Sequence, residues 1–299
     1  MAKVITIPLP HDLPENWNET QFVSPGGIEV GLTKQHGYNY LMEQVNNTQK
    51  AVLELEEKGS QALDSDLIYY VSSEGSDTIG SGSEDSPFLT IQKAIDEMPS
   101  NLNGKTVTVF VGEGTFQPFT VSNKHFGQVV LFRNPAMAEG VKPIISGSCK
   151  VAFCNSRVKI NGFKINASDS KGCILVEAVN ELFLHNSIFN GVNKEADGVR
   201  ILSADVSCGI AYCVFENCAN CVSTNHDSGS GGMCSVSIYT CTGSNNNYAI
   251  YNNFAVIGIY NSSVGTLGCS ALLSLSYTGG PVYLNGQIYT AVASASVVE

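Results

Sequence analysis

The chain has 299 residues, of which 43% are hydrophobic and only 14% are charged, so it is long enough to bury a substantial core. Its 29 glycines and low charge are typical of a turn-rich β protein and unlike a disordered chain. The formal net charge of −11 argues against the clustered Lys and Arg that a nucleic-acid backbone requires, so we expect no nucleic-acid partner.

The first ten residues, MAKVITIPLP, contain one Lys and a short apolar run broken by two prolines, which is unlike a secretory signal. No run of 18 apolar residues occurs, and we expect no membrane insertion. Ten cysteines lie between Cys149 and Cys269. In a long chain with no secretory signal we expect them to be reduced thiols that act as small buried apolar residues, which indicates synthesis in a cytoplasm.

Residues 1–35 are interrupted by proline and glycine, and their few apolar positions show no sustained period. This pattern predicts an extended, partly irregular segment. Trp17 is the only tryptophan of the chain, and such a large aromatic side chain favours a segment that docks onto another protein. A free terminus is the alternative interpretation.

Residues 36–59 predict a solitary helix with a narrow apolar stripe, ended by Gly59. The stripe has spacings of 3, 4, 3, 4 and 3, which is the heptad pattern of a coiled coil. Its members are Tyr38, Leu41, Val45, Thr48, Val52 and Leu55. The flanking residues lack the charged pairs of a two-stranded zipper, so a trimer suits the seam at least as well. The alternative is a helix packed on its own domain.

A short polar linker is expected over residues 60–66, and the next elements are predicted in order from residue 67. A strand over 67–71 is followed by a loop rich in Gly, Ser and Asp. Thr90 is placed to cap a short helix that Pro99 closes. The apolar face of this helix comprises Ile91, Ala94, Ile95 and Met98. A strand over 106–116 then alternates with period 2 and begins a long β series.

From residue 150 onward the chain contains a weak internal repeat of about two dozen residues. Six eight-residue segments align on one apolar anchor each, with spacings of 24, 26, 28, 21 and 25. The anchors are Ile160, Leu184, Ile210, Ile238, Ile259 and Leu284. Another apolar residue lies two positions before each anchor, so both face the same side of a strand. These residues are Val158, Leu182, Cys208, Val236, Ile257 and Val282.

A second short strand precedes each anchor from the second repeat onward, over 172–176, 198–202, 221–224, 248–251 and 271–275. Two dozen residues are too few for a crossover helix, which favours a solenoid of stacked parallel strands. Cys213 and Cys241 fall in the same register and are expected to stack inside. Residues 226–232 predict a protruding loop. A β-sandwich is the competing architecture, since short strands also suit it.

The segment YYVSSEGSDTIGSGSEDSPFLTIQKAID (69–96), with GKTVTVFVGEGTF (104–116), resembles the N-terminal cap and first coil of pectate-lyase-like right-handed parallel β-helix proteins, in particular those of bacteriophage and prophage tails. The segment 13–46 is similar to the attachment segment of phage tail fibres. The resemblance implies an all-β chain in which residues 67–299 form the β-helix, with its cap over 67–116. It also implies attachment through 1–35 and a homotrimer through 36–59.

Pectate-lyase-like folds include lyases and glycosidases, so acidic residues are the first candidates for chemistry. The acids of the repeat region are Asp169, Glu177, Glu181, Glu195, Asp197, Asp205, Glu216 and Asp227. Asp197 with Arg200 and His226 with Asp227 are the pairs whose spacing would suit catalysis. The family's polygalacturonase and pectate-lyase motifs do not occur in the sequence. Ordinary solvated positions explain these acids more simply, and we expect no catalytic residue.

Two other patterns have a functional and a structural interpretation. Cys218, Cys221, Cys234 and His226 could be drawn as a zinc site, but the sequence has one CxxC pair and stacked core thiols explain it more simply. The Asn-, Ser- and Tyr-rich segments 242–253, 259–263 and 276–281 suit glycan contact or plain turns, and we favour turns. No metal or cofactor is expected.

The sequence and the resemblance together predict a structural, receptor-binding tail fibre of a phage or phage-tail-like particle. It would be a homotrimer located in the virion, joined to a tail or baseplate protein, whose exposed face contacts host surface glycan. The alternatives are a polysaccharide-degrading tailspike, lyase or hydrolase, and a monomeric cell-surface adhesin.

Overall fold

The computed structural model of the protein describes residues 62–203, 206–224, 234–253, 255–262, 266–275, 281–285 and 287–289. The predicted attachment segment 1–35, the predicted helix 36–59 and the predicted loop 226–232 lie outside these residues. Among the described residues, no helix is long and apolar enough to cross a membrane.

The first described elements are strand β1 (Leu67–Val71) and helix α1 (Ile91–Asp96). The side chain of Thr90 accepts a hydrogen bond from the Lys93 backbone N–H at 3.1 Å, which confirms the predicted N-cap. The helix buries Ile91, Ala94 and Ile95, and Met98 just beyond it is also buried. The carboxylate of Asp77 accepts from the Thr90 backbone and hydroxyl, so the loop before the helix is tied to its cap.

The predicted strand over 106–116 is two strands, β2 (Thr106–Val111) and β3 (Thr115–Phe116). The chain turns sharply between them, where Gly114 has a φ of 143° that strongly favours glycine. The alternation that predicted one strand therefore crosses a corner.

The remaining strands are β4 (Thr120–Ser122), β5 (His125–Arg133), β6 (Ile144–Ser146), β7 (Cys149–Asn161), β8 (Lys164–Asn166), β9 (Ile174–His185), β10 (Ile188–Asn190), β11 (Val199–Ile201), β12 (Ser207–Ala211), β13 (Val214–Glu216), β14 (Asn220–Thr224), β15 (Cys234–Tyr239), β16 (Thr242–Ser244), β17 (Asn246–Asn252), β18 (Ala255–Tyr260), β19 (Cys269–Leu275), β20 (Val282–Leu284) and β21 (Gln287–Tyr289).

These strands form three long faces that the chain visits in turn. Face A contains β1, β2, β5, the second halves of β7 and β9, and then β12, β15, β18 and β20. Face B contains β3, β6, β8, β10, β13 and β16. Face C contains β4, the first halves of β7 and β9, and then β11, β14, β17 and β19. The result is a parallel β-solenoid of about six turns, the number of strands in face B.

The predicted anchor column is confirmed by the strand register. Ile160 pairs with Leu184, Leu184 with Ile210, Ile210 with Ile238, Ile238 with Ile259, and Ile259 with Leu284. The column continues through Leu131 and Val109 in the coils before the repeat region. All of these side chains are buried in one continuous core. Parallel in-register stacking of this kind excludes the β-sandwich alternative, in which antiparallel pairs dominate.

Each eight-residue repeat segment contains a corner that the sequence analysis did not separate. The strand of face A ends one residue after the anchor, and a residue with left-handed backbone then turns the chain into face B. These corner residues are Gly162, Asn186, Tyr212, Thr240 and Asn261, with φ between 47° and 87°. Asn and Gly are the usual residues in this conformation, whereas Tyr212 and Thr240 are exceptions.

The last segment, 282–289, is not a further coil. Strands β20 and β21 pair antiparallel, with Val282 opposite Tyr289 and Leu284 opposite Gln287, so the segment is a β-hairpin. The turn begins at Asn285, which has a φ of 47°. The interpretation of this segment as the sixth repeat is therefore right for β20 and wrong for β21.

An asparagine ladder joins successive coils where face B ends. The Nδ2 of Asn190 donates to Oδ1 of Asn166 at 3.0 Å, that of Asn217 to Asn190 at 3.1 Å, and that of Asn245 to Asn217 at 2.7 Å. The last three amides thus each donate to the coil before, and the first three each accept from the coil after. This arrangement fixes the stacking of four consecutive turns.

The connections between faces differ greatly in length from coil to coil. Residues 134–143 connect β5 to β6, whereas two residues, 162 and 163, connect β7 to β8. The strands on either side nevertheless pair in register, with Phe132 opposite Asn161 and Ile145 opposite Ile165. The extra residues therefore emerge as a loop, as expected for a solenoid.

Candidate functional site

The outward surface of face A carries a row of aromatic side chains. Because side chains alternate along a strand, the residues directly before and after each buried anchor point outward. These positions hold Phe132, Phe183, His185, Tyr239 and Tyr260 in the described coils. Phe183, Tyr239 and Tyr260 are all exposed. Phe183 precedes its anchor whereas Tyr239 and Tyr260 follow theirs, and β12 between them has Gly209 and Ala211 at these positions. Several exposed aromatic side chains on one face are typical of a binding surface.

A groove of about 570 Å³ lies on this face, across β5, β7 and β9. The residues that give it chemical character are Gln128, Phe132, Arg157, Lys159, Phe183 and His185. The groove thus offers aromatic faces, an amide, an imidazole and two cationic side chains within one concave surface. No carboxylate is among the described residues that line it.

Phe183 lies across the neighbouring strand because that strand has a glycine beside it. A Cβ atom on Gly209 would be 2.9 Å from the Phe183 ring, which is closer than real contacts allow. On the other side, the guanidinium carbon of Arg157 is 5.6 Å from the centre of the same ring. The ring is therefore held between two coils, with Gly209 providing the space.

Arg157 is oriented by an ion pair with Glu181 on the next coil. Its Nε donates to Oε2 of Glu181 at 2.5 Å, and this hydrogen bond, with the attraction of the charge, raises the pKa of Arg157. The bond uses Nε, so the two terminal nitrogens make no hydrogen bond with any described residue. Lys159 likewise makes no ion pair in the described part of the chain. The groove is therefore lined by two cationic side chains, and the charge of Arg157 is offset by the Glu181 carboxylate.

Tyr239 and Tyr260 continue the aromatic row beyond the groove. Their rings stack with centroids 4.7 Å apart and planes within 15° of parallel. Gly258 makes this possible, since a Cβ there would be 2.6 Å from the Tyr260 ring. Two glycines on face A thus allow rings to lie against the backbone with part of their surface exposed.

The structure does not join Asp197 and Arg200 as a catalytic pair. The Asp197 side chain is only 8% exposed, and its two oxygens accept hydrogen bonds from Asn220 at 2.7 Å and from the hydroxyl of Ser223. Arg200 instead donates to the backbone carbonyl of Ser170. Asp197 therefore connects two coils at the beginning of face C.

Most of the other candidate acids bind partners on neighbouring coils. Glu177 pairs with Lys150 at 2.7 Å, and Glu216 lies 3.6 Å from Lys164. Asp169 accepts from the hydroxyl of Ser148, and Glu195 is exposed. Asp205, His226 and Asp227 lie outside the described residues. Glu195 is thus an ordinary solvated position as expected, whereas Asp197 is buried and does not fit that interpretation.

The cysteines are free thiols, and nine of the ten are buried. Cys213 and Cys241 lie inside on adjacent coils, as expected from their register, and their thiols donate to the backbone carbonyls of Ala211 and Tyr239. Cys221 approaches Cys269, with 3.5 Å between the sulfur atoms. Among the described residues, no group of three or more Cys, His, Asp or Glu side chains could hold a metal, and His226 of the drawn zinc site is not described.

The polar segment 242–253 is part of the solenoid. It forms β16 and β17, and both Asn246 and Asn252 are buried. The amide of Asn246 accepts from the Cys218 backbone and donates to the carbonyls of Phe215 and Leu267. These contacts stabilise three adjacent coils, so the buried asparagines are structural.

Sequence reasoning missed the groove, although the signal was available. The pattern that placed the anchors inside also places their immediate neighbours outside. Reading those outward positions down the stack would have placed Phe183 in register with Lys159, and Phe132, His185 and Tyr239 in a second column two residues further along the strands.

No family model matches the chain, and no curated protein matches it either. Among solved structures, a chain described as a rhamnogalacturonan lyase is similar, with 17% sequence identity and a TM-score of 0.39. The match covers 71% of this chain and 58% of that one, so the chain spans little more than half of the length of this solved structure. A similarity of this level identifies neither a reaction nor a substrate.

Proposed function

We propose that the protein is a structural, receptor-binding fibre component of a phage tail or phage-tail-like particle, and that face A contacts a glycan on the host surface. The observation that carries the glycan part is the groove, which combines exposed aromatic rings with cationic and amide donors on a rigid sheet. Sugar rings bind proteins through stacking on aromatic faces together with hydrogen bonds to hydroxyl groups, and the groove offers both.

The remaining parts of the proposal rest on the sequence. Residues 1–35 would attach the protein to a tail or baseplate protein, and residues 36–59 would join three chains. Three copies of the helix would supply the apolar partner that its narrow stripe lacks, because a lone helix of this length is marginal in water. The solenoid would be right-handed, which agrees with the strong preference of parallel crossover connections. The protein would be located in the virion.

Glycan binding is tested by applying the full chain to an array of bacterial capsule, wall and lipopolysaccharide glycans. We expect Lys159→Gln to weaken the strongest interaction about ten-fold, the loss expected for one charge-assisted hydrogen bond. Lys171→Gln is the matched control, because Lys171 is exposed, carries the same charge and does not line the groove. Unchanged binding by both variants would contradict the assignment of the groove.

The same preparation distinguishes binding from cleavage. Glycans bound by the protein are incubated with it, and the products are assayed for new reducing ends and for unsaturated sugars. We expect neither. Either product would replace the proposal with the enzymatic alternative, a polysaccharide-degrading tailspike.

A further inference from the structure

Three exposed aromatic residues of the solenoid, Phe126, Phe153 and Tyr212, have a left-handed backbone conformation that they adopt at a cost. Phe153 lies at the corner between faces C and A, with a φ of 53° and a side chain that is 57% exposed. A left-handed conformation is unfavourable for bulky residues, and an exposed phenyl ring gains nothing from burial. Such an outlier is a reason to look for a function at that position.

The corner itself does not require phenylalanine. Ser122 pairs with Ala152 and Ala152 with Glu177, so the residues that follow, Asn123, Phe153 and Ala178, occupy equivalent corners in three successive coils. All three have left-handed φ, of 54°, 53° and 48°. Asparagine is among the residues best suited to this conformation, and Asn123 shows that the corner accepts it.

The ring of Phe153 borders a depression of about 320 Å³, separate from the groove. The polar side chains around it are His125, Asn155 and Asn180, contributed by three coils. No Asp, Glu, Lys or Arg lines it among the described residues. An aromatic face surrounded by two amides and an imidazole fits an uncharged ring that carries several hydroxyl groups.

The depression and the groove lie on the same three strands. His125, Asn155 and Asn180 begin the face A portions of β5, β7 and β9, whose later residues line the groove. Asn155 and Lys159 are four residues apart on β7, which corresponds to about 13 Å along a strand. A single extended ligand could therefore contact both sites.

We propose that this depression, the Phe153 pocket, is a second carbohydrate subsite that takes a neutral sugar ring stacked on Phe153. Together with the groove it directs a glycan chain parallel to strands β5, β7 and β9, and therefore perpendicular to the direction in which the coils stack. This inference rests on the proposed glycan binding and deepens it, because it assigns both the sugar class of a subsite and the direction of the chain.

The test is Phe153→Asn, measured on the same glycan array and by thermal unfolding. We expect the variant to keep or raise the melting temperature, because asparagine suits the left-handed corner, and to lose about ten-fold in affinity for chains with neutral sugar units. Thr240→Asn is the matched control, since Thr240 is also exposed with a left-handed φ of 48° but lies away from both sites. It should keep its affinity.

The outcomes separate the two proposals. Full affinity in Phe153→Asn, while Lys159→Gln still weakens binding, would overturn the subsite and leave the groove intact. A lower melting temperature with unchanged affinity would show that the ring serves stability, and would also overturn the subsite. If the unmodified chain binds no glycan on the array, the proposed function is wrong, and the subsite with it.

Discussion

Asp197 shows how a buried carboxylate can serve the fold. Its spacing from Arg200 suggested chemistry in the sequence, but its oxygens accept from Asn220 and Ser223 on the next coil. A carboxylate that is nearly inaccessible and has its donors fixed is poorly placed to exchange a proton with a substrate. The side chain therefore holds two coils together.

Replacing Asp197 by alanine should lower the free energy of unfolding by about 1–3 kcal/mol, because the buried Ser223 hydroxyl and the half-buried Asn220 amide lose their acceptor. Urea unfolding of the full chain measures this. Glu195→Ala is the control, since Glu195 is an exposed acid two residues away and should change stability little. Glycan affinity at the groove should be the same in both variants. An Asp197→Ala protein as stable as its parent would refute the structural role.

Among the elements of the solenoid, the inward positions of the strands are rich in thiols. Burial raises the pKa of Cys149, Cys218 and Cys234 to about 12 in each case. It also raises the pKa of Cys208 and Cys221. Cysteine here replaces small apolar residues, and its S–H can donate to a nearby carbonyl, as Cys218 does to Glu216. Between about pH 9 and pH 12 the folded solenoid therefore keeps these thiols protonated, whereas the unfolded chain does not.

This difference predicts a loss of stability at alkaline pH. A thiol whose folded pKa is raised binds more protons in the folded state, so its contribution is full below pH 9 and declines up to about pH 12. Each such thiol should lower the free energy of unfolding by about 1.4 kcal/mol per pH unit in that range. Urea unfolding between pH 8 and 10.5 measures the slope, and Cys149→Ala should reduce it by the share of one thiol. A slope equal in parent and variant would contradict the prediction.

The sequence predicted the strands of face A but not the short strands of face B, for a physical reason. Five of the six anchors lie on strands of five to thirteen residues, where an alternating pattern is long enough to be recognised. The strands of face B have two or three residues each, so no period can be read from them. The Asn285–Gly286 dipeptide is a strong hairpin signal, but the anchor alignment assigned it to a repeat. The groove required the outward positions, which no core argument examines.

For the whole molecule, the main untested prediction is the homotrimer. Light scattering on the full chain should give three times the mass of one chain, because the seam of residues 36–59 needs partners. Val45→Asp combined with Val52→Asp places charges in that seam and should yield single chains whose circular dichroism spectrum keeps the β signal of the solenoid and loses helical signal. Asn47→Asp, off the seam, should leave the trimer intact. A parent protein with the mass of one chain would instead favour the monomeric adhesin.

The turn from face A to face B has ten residues at 134–143 but only two, 162 and 163, in the next coil. This difference bears on how far the length of such a turn can vary. Since hydrogen-bonded pairing resumes on both sides of the longer turn, residues can be added or removed there without displacing the interior. The length of such a turn can therefore vary between related solenoids while the scaffold stays constant.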